Sequence, residues 1–289
     1  MKSIRNRCIV KVLTITLIIA LNCTTHIKAE ASGKLKVHFI DVGDADCILI
    51  QQDDKAMLID AGNNTDEKLV KSYLEKQGVS KLEIVIGTHV DEDHIGSLDA
   101  VINEFQTNKL YMPKCDIVTR DIENVMKAAN EKGLELSQPV SEESFKLGEA
   151  VCTFLAPVSR GYEKLNNYSV VMKVQYKNTS FLFTGDAEGV SEREMMRRGL
   201  DLTANVLKLG HHGSIRSTTN EFLERVNPKY AVIMVGKNNN YRHPHKRTME
   251  KLKTRKIEVY RTDENGTVIA ESDGENITFN KKPGSYNYR

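Results

Sequence analysis

Gly87-Thr88-His89-Val90-Asp91-Glu92-Asp93-His94 is the stretch on which the reading of this chain turns. Two imidazoles and two Asp carboxylates, all lone-pair donors, fall between positions 89 and 94. They follow the apolar run Ile84-Val85-Ile86, which reads as a buried strand, and precede Ile95-Gly96-Ser97-Leu98, which begins a helix. A loop that concentrates nitrogen and oxygen donors at a strand end is how a hydrolase holds one or two divalent metals. His89, Asp91, Asp93 and His94 are therefore candidate metal ligands, and Asp93 is a catalytic candidate as well. A solvated turn is the competing reading, but it gives no reason for ligand types to cluster so tightly.

The HxDxDH pattern resembles the metal-binding signature of the metallo-β-lactamase fold. The usual form is HxHxDH, so Asp91 stands where a second His is commoner. This Asp form is similar to the extracytoplasmic hydrolase domain of ComEC-type DNA-uptake proteins and their free-standing relatives. The resemblance spans nearly all of residues 34–280. Val37-His38-Phe39-Ile40-Asp41-Val42-Gly43-Asp44-Ala45-Asp46 looks like the family's opening strand and turn, and Leu58-Ile59-Asp60-Ala61-Gly62 like its second strand end. Phe181-Leu182-Phe183-Thr184-Gly185-Asp186 matches the strand that delivers a bridging Asp. Val206-Leu207-Lys208-Leu209-Gly210-His211-His212-Gly213-Ser214 and His243-Pro244-His245 match two further segments.

The resemblance implies an α/β (α+β) protein, a four-layer αββα sandwich with the metal site on one rim. It also implies two divalent metal ions, Zn or Mn with Mg as a further option. His89 and Asp91 would reach one metal and Asp93 and His94 the other, with Asp186 bridging. His211 is favoured over His212 as the last ligand, leaving His212 to orient substrate or bond a neighbouring group. The family's usual third His is missing, since no His lies between His94 and His211. Asn166, Asn167 and Ser169 occupy that stretch, and for Asn167 a turn role and a ligand role both stay open. A site so rich in oxygen leans towards Mn²⁺ or Mg²⁺. The implied activity is that of a secreted metal-dependent hydrolase. It would be a phosphodiesterase or nuclease acting on DNA through a metal-activated bridging water.

Beyond these motifs, the start of the chain reads as a leader. Lys2, Arg5, Arg7 and Lys11 precede an apolar stretch from Val12 to Leu21, and Ile27-Lys28-Ala29 suits cleavage. Residues 1–29 are therefore expected to be a signal peptide or N-terminal anchor, and residues 30–289 the hydrolase domain. The apolar stretch is short for a membrane span, which needs about 20 residues. Membrane association is accordingly expected only through an uncleaved leader, and the localisation is secreted or extracytoplasmic. Five of the 41 basic residues and none of the 39 acidic ones fall in residues 1–29, so the rest of the chain is net −3. Whole-chain charge thus gives no support for nucleic acid, and only a local patch can. The 40% hydrophobic and 28% charged composition is that of an ordinary globular protein. Cys47, Cys115 and Cys152 lack CxxC spacing and read as small hydrophobes, with one disulfide left open.

Such a patch exists. Residues 237–256 carry Lys237, Arg242, Lys246, Arg247, Lys251, Lys253, Arg255 and Lys256 against the single acid Glu250. Beside a metal site this favours a phosphate-rich substrate, and nucleic acid is the expected partner; a helix with a solvated basic face is the other reading. Lys208 is expected on the same surface. His245 and His243 flank Pro244 and are assigned to substrate contact or leaving-group protonation. Gly213 and Ser214 are expected to open a helix suited to an anion. Asp41, Asp44, Asp46 and Asp60 read as turn or supporting residues, with Asp60 bonding a ligand His, and His38 as structural. No stable protein partner is evident from the sequence. Two other functions compete: hydrolysis of a small ester, lactone, thioester or β-lactam, and a metal-stabilised binding module without turnover.

Overall fold

Strands that are apolar on both faces must be covered on both sides, and this chain has many. In the stretch around residues 47–50, Ile48 and Ile50 point one way while Cys47 and Leu49 point the other. A computed structural model describes residues 33–288 and shows how they are covered. The first sheet has eight strands. They lie in the order Ile277–Phe279, Val268–Ser272, Leu35–Phe39, Ile48–Gln52, Lys55–Ile59, Ile84–Ile86, Leu110–Tyr111 and Leu136–Ser137. The second has seven, in the order Glu258–Arg261, Tyr230–Ile233, Val206–Lys208, Thr179–Phe183, Val171–Tyr176, Ala150–Ala156 and Ser144–Leu147.

Three apolar interfaces hold these layers. Between the sheets, Val37, Phe39, Ile50 and Ile59 meet Phe154, Val174, Phe181 and Phe183. Outside the first sheet, Leu49, Leu58 and Val85 pack under Val70 and Leu74 of helix Glu67–Lys76, Val101 of Leu98–Glu104 and Val125 of Arg120–Glu131. Outside the second, Leu182, Leu207 and Ile233 pack under Met195 of helix Gly189–Arg197, Phe222 of Asn220–Val226 and Met249 of Lys246–Thr254. Helix, sheet, sheet and helix make the expected four-layer sandwich.

Strand direction places the rim. Lys55–Ile59, Ile84–Ile86 and Leu110–Tyr111 run parallel. So do Thr179–Phe183, Val206–Lys208, Tyr230–Ile233 and Glu258–Arg261. Parallel neighbours bring their C-terminal ends to one edge, where open α/β sheets gather their ligands. Asp60, the 87–94 loop, Asp186 and the 209–214 turn all leave such ends.

Some expectations change. Gly213 and Ser214 open no helix: residues Gly210–Gly213 make a tight turn through left-handed backbone at His211 and His212, and the next helix starts at Asn220, capped by Thr219. Lys208 adds nothing to a positive surface, because it is buried and donates to Asp46 Oδ2. Its strand lies inside the second sheet, so its ammonium is drawn inward by that carboxylate. Val268–Ser272 returns to the first sheet to pair with Leu35–Phe39. Cys47, Cys115 and Cys152 are all free thiols. His38 is buried, with its Nδ1 2.9 Å from the Tyr73 hydroxyl. The leader expected at residues 1–29 lies outside the described residues, among which no helix is long and apolar enough to cross a membrane.

Candidate metal centre

The centre begins with Asp60, which directly follows a strand and adopts a left-handed φ of 57°. That conformation is costly for a side chain other than glycine, and here the bonds made by the carboxylate hold it. Asp60 Oδ1 accepts from the Thr88 backbone N–H at 2.7 Å. Its Oδ2 accepts from the Thr88 hydroxyl at 2.6 Å and from His94 Nδ1 at 2.9 Å. The proton on His94 is thereby fixed at Nδ1, leaving the Nε2 lone pair free once the ring is neutral.

Asp186 arrives from the other sheet. Its N–H donates to Ser169 Oγ at 3.1 Å. Gly185 before it has a φ of 47°, and a Cβ there would stand 2.8 Å from Thr88 Oγ1. Only glycine lets the two strand-end loops approach this closely. Asp186 Oδ1 lies 3.3 Å from His94 Nε2 and 3.9 Å from His212 Nε2. His212 Nε2 is in turn 3.1 Å from Asp93 Oδ2, and His94 Nε2 is 3.8 Å from that same oxygen. The ligand atoms of Asp93, His94, Asp186 and His212 all fall within 4.8 Å of one another.

His211 and His212 both have φ near 51°, two successive strained residues that turn their rings to different sides. Sequence spacing favoured His211 as the last ligand, but the donors that gather within 4.8 Å of one another include His212 and not His211. The hydrogen bonds give the reason. His212 Nδ1 faces the Met234 carbonyl at 2.9 Å and can only donate to it, so a neutral His212 ring offers Nε2 as a lone pair. His211 Nδ1 faces Asn166 Nδ2 at 3.0 Å, an amide nitrogen that also faces Glu188 Oε1. His211 Nδ1 therefore accepts, and its neutral ring carries its proton on Nε2, 3.6 Å from Asp186 Oδ2. His211 is a hydrogen-bond donor beside the centre.

The remaining candidates are less closely gathered. His89 is fully buried and its ring centroid is 5.4 Å from that of His94. Asp91 is exposed, and its carboxylate stands 3.5 Å from His89 Nδ1, on the edge of the ring away from the free Nε2. The expected pairing of His89 and Asp91 at one point is thus not assembled. Asn167 is buried, with its Oδ1 accepting from the Ser191 N–H at 3.1 Å, a bond that ties its loop to the first turn of helix Gly189–Arg197. His243 is buried, 5.4 Å from His211 and 6.1 Å from His212 between ring centroids. His245 Nδ1 accepts from the Ile215 N–H at 3.0 Å. Glu188 was not singled out from the sequence, although it lies only two residues beyond Asp186. It is buried, 3.1 Å from Lys164 Nζ and 3.9 Å from His211 Nδ1.

Electrostatics and orphaned atoms both fit a cation. Burial opposes charge on His94, but Asp186, Asp60 and Asp93 outweigh it and hold its pKa well above the ordinary histidine value. His212 is raised to about 9 against the same burial, chiefly by Asp186 and Asp93. Burial pushes Asp186 up, yet His94 and His212 pull it well below the carboxylate range. Protons thus compensate carboxylates where a metal would, and metal binding would release them. His89 Nε2, His94 Nε2 and Asp186 Oδ1 are buried without a hydrogen-bond partner. Such atoms cost about 1–3 kcal/mol each unless something satisfies them, and a divalent ion would. Asp93, His94, Asp186 and His212 supply two nitrogens and two oxygens, a set that suits Zn, Mn or Fe.

Asp60→Asn should lower metal affinity about ten- to a hundredfold, read by calorimetric titration with Mn²⁺ or Zn²⁺. The amide would donate to His94 Nδ1 and force the proton onto Nε2, where the ligand lone pair is needed. Unchanged affinity would show that Asp60 does not set this tautomer.

The chain matches the metallo-beta-lactamase superfamily model over residues 40–237, more than half its length. It is 31% identical over 255 residues to ComE operon protein 3 of Bacillus subtilis, covering 82% of this chain and 33% of that protein. It is 29% identical over 241 residues to Recombination protein 2 of Haemophilus influenzae, covering 81% and 28% respectively. Competence protein ComA of Neisseria gonorrhoeae is 27% identical over 243 residues, covering 83% and 33%. The chain spans about a third of the length of these relatives. Among solved structures, the metallo-beta-lactamase fold protein YhfI from Bacillus subtilis superimposes with a TM-score of 0.58 at 18% identity, over 83% of this chain and all of that one. Igni18, a metallo hydrolase from Ignicoccus hospitalis, gives 0.53 at 16%, over 82% and 98%. Two sheets face to face, donors gathered at one rim and a matching family model lead to one conclusion: the chain belongs to the metallo-beta-lactamase superfamily, with ComEC-type competence proteins among its relatives.

Proposed function

We propose that the chain is a metal-dependent phosphodiesterase that cuts nucleic acid, with DNA as its substrate. The observation that carries this reading is the surface next to the centre. Lys237, Arg242 and Arg247, at the rim end of this segment, are exposed and make no ion pair among the described residues, whereas Lys253, Arg255 and Lys256 are exposed at the far end of the helix, towards the opposite edge of the sheet. Two other cations of the segment have local duties. Lys246 is 3.8 Å from Glu250, and Lys251 donates to the Thr218 carbonyl. The same segment holds His243, whose ring centroid is 6.1 Å from that of His212, so the rim-end charges adjoin the centre. In a chain that is net acidic beyond residue 29, a local surplus of this kind attracts a polyphosphate backbone.

When bound, divalent metals supply an activated water and neutralise charge on phosphoryl oxygens. The protein's own residues do the rest. Asp60 and the Met234 carbonyl fix the rings of His94 and His212. The Nε2–H of His211 can donate to a substrate oxygen. With Nδ1 of His245 engaged, its neutral ring carries the proton on Nε2 and is a second donor. A cleft of about 500 Å³ is lined by Lys164, Glu188, Arg193 and Arg216 among others; its Glu188 is 3.9 Å from His211 Nδ1, and it gives room for a flanking nucleotide. Relatives named for competence and recombination support the choice of nucleic acid. The basic and apolar start of the chain supports export, so the substrate would be extracellular DNA.

The test is cleavage of labelled single- and double-stranded DNA by the purified protein, metal-free and then with Mn²⁺, Mg²⁺ or Zn²⁺. Cleavage that needs metal supports the reading. Stoichiometric metal binding without cleavage would sink it and direct attention to esters, lactones, thioesters and β-lactams.

A further inference from the structure

The loop between strand Tyr230–Ile233 and helix Lys246–Thr254 has a fixed shape. Asn239 Nδ2 donates to the Gly236 carbonyl at 3.0 Å and the His243 carbonyl at 2.8 Å, and its Oδ1 accepts the His243 N–H at 2.8 Å. On this clamped loop sits Tyr241, 69% exposed. Its ring lies 20° from parallel to that of buried His243, with centroids 5.6 Å apart. The two rings lie near parallel but offset, and most of the Tyr241 side chain meets solvent. A single step from His243 to His212 then reaches the metal-facing cluster, a path that a flanking nucleotide of a bound strand would cover.

Lys237 and Arg242 bracket this stretch, both exposed and without a carboxylate partner among the described residues. An open aromatic face set among unpaired cations is how proteins hold single strands: the base stacks, and the cations attract the backbone. We propose that Tyr241 is the stacking platform for a nucleobase of single-stranded nucleic acid next to the bond that is cut, with Arg242 and Lys237 on its phosphates. This rests on the phosphodiesterase reading and sharpens it. A base inside a duplex has both faces covered by its neighbours and cannot lie on Tyr241.

The test compares wild type, Tyr241→Phe and Tyr241→Ala as full chains, metal-free for binding and loaded with Mn²⁺ for hydrolysis. Binding of a fluorescein-labelled deoxythymidine oligomer, of a fully abasic oligomer and of a duplex is followed by anisotropy. Hydrolysis of bis(p-nitrophenyl) phosphate, which has no base, is followed in parallel. Tyr241→Ala should weaken binding of the intact single strand about tenfold, while Tyr241→Phe leaves it unchanged. The abasic oligomer should bind equally weakly to all three proteins. At saturation, kcat for the small diester should be the same in all three, whether or not its nitrophenyl rings stack on Tyr241. Wild-type affinity of Tyr241→Ala for the intact strand, or an equal loss on the abasic strand or the duplex, would overturn the platform. If none of the proteins hydrolyses the small diester or the oligomer, the phosphodiesterase reading fails, and the anisotropy comparison still decides the platform alone.

Discussion

Asp186→Asn should reduce metal-dependent hydrolysis by at least about a thousandfold, about 4 kcal/mol of transition-state stabilisation, and strip the centre of most of its metal. The side chain is buried, and its two oxygens face different ways: Oδ1 towards His94 and His212, Oδ2 towards His211. No other carboxylate of the centre is placed to serve both sides. Asp93 reaches only the Oδ1 side, through His212 and His94. Asn keeps the shape and the backbone bond to Ser169, so the strand end should remain folded. It removes the negative charge that balances two imidazoles and turns one oxygen into a donor, which cannot ligate a cation. Metal content by mass spectrometry, alongside diester hydrolysis and a thermal melt, separates the outcomes. Wild-type metal content and rate in Asp186→Asn would remove this residue from the centre, whatever happened to stability.

The parts of this architecture visible in the sequence are those with a short-range physical signature. The continuous apolar runs within Lys55–Ile59 and Ile84–Ile86 announce strands buried on two faces, and the helix spacing around Val70 and Leu74 announces a packed helix. The ligand types of the 89–94 loop are likewise visible, because two His and two Asp in six positions have few other uses. The pairs Leu110–Tyr111 and Leu136–Ser137 are too short to carry any period and form only because a neighbouring parallel strand offers its edge. The choice between His211 and His212 was hidden for a different reason. Both rings are aimed by left-handed backbone that His rarely adopts, and the tautomers are set by Asn166 and Met234, which lie 45 and 22 residues away. Asp91 follows the motif in sequence, but the turn leaves its carboxylate in solvent at the wrong edge of His89.

Lys208 shows most clearly what spacing cannot reveal, and it carries the second large effect. In sequence it is a charged residue in an apolar run. In the fold, its ammonium is fully buried against Asp46, whose carboxylate comes from 162 positions earlier. Asp46 Oδ1 has no hydrogen-bond partner and lies 3.6 Å from His212 Nδ1, while Asp46 Oδ2 is 3.9 Å from His94 Nδ1. Lys208→Met keeps the packing volume but leaves a buried carboxylate without its counter-charge. The expected cost is about 3–5 kcal/mol, or roughly 10 °C in Tm for a domain of this size. The double variant Asp46→Asn with Lys208→Met should recover most of that loss, since removing both charges leaves no isolated ion in the interior. Purely additive losses would mean that the pair contributes no coupling. The pair also lies directly behind two metal-facing rings, so a bound cation should take over part of the ammonium's role in neutralising Asp46. Excess Mn²⁺ should therefore raise the Tm of Lys208→Met by more than it raises that of the wild type, beyond what mass action on equal affinities gives. An equal rise in both would confine Lys208 to the core and separate it from the centre.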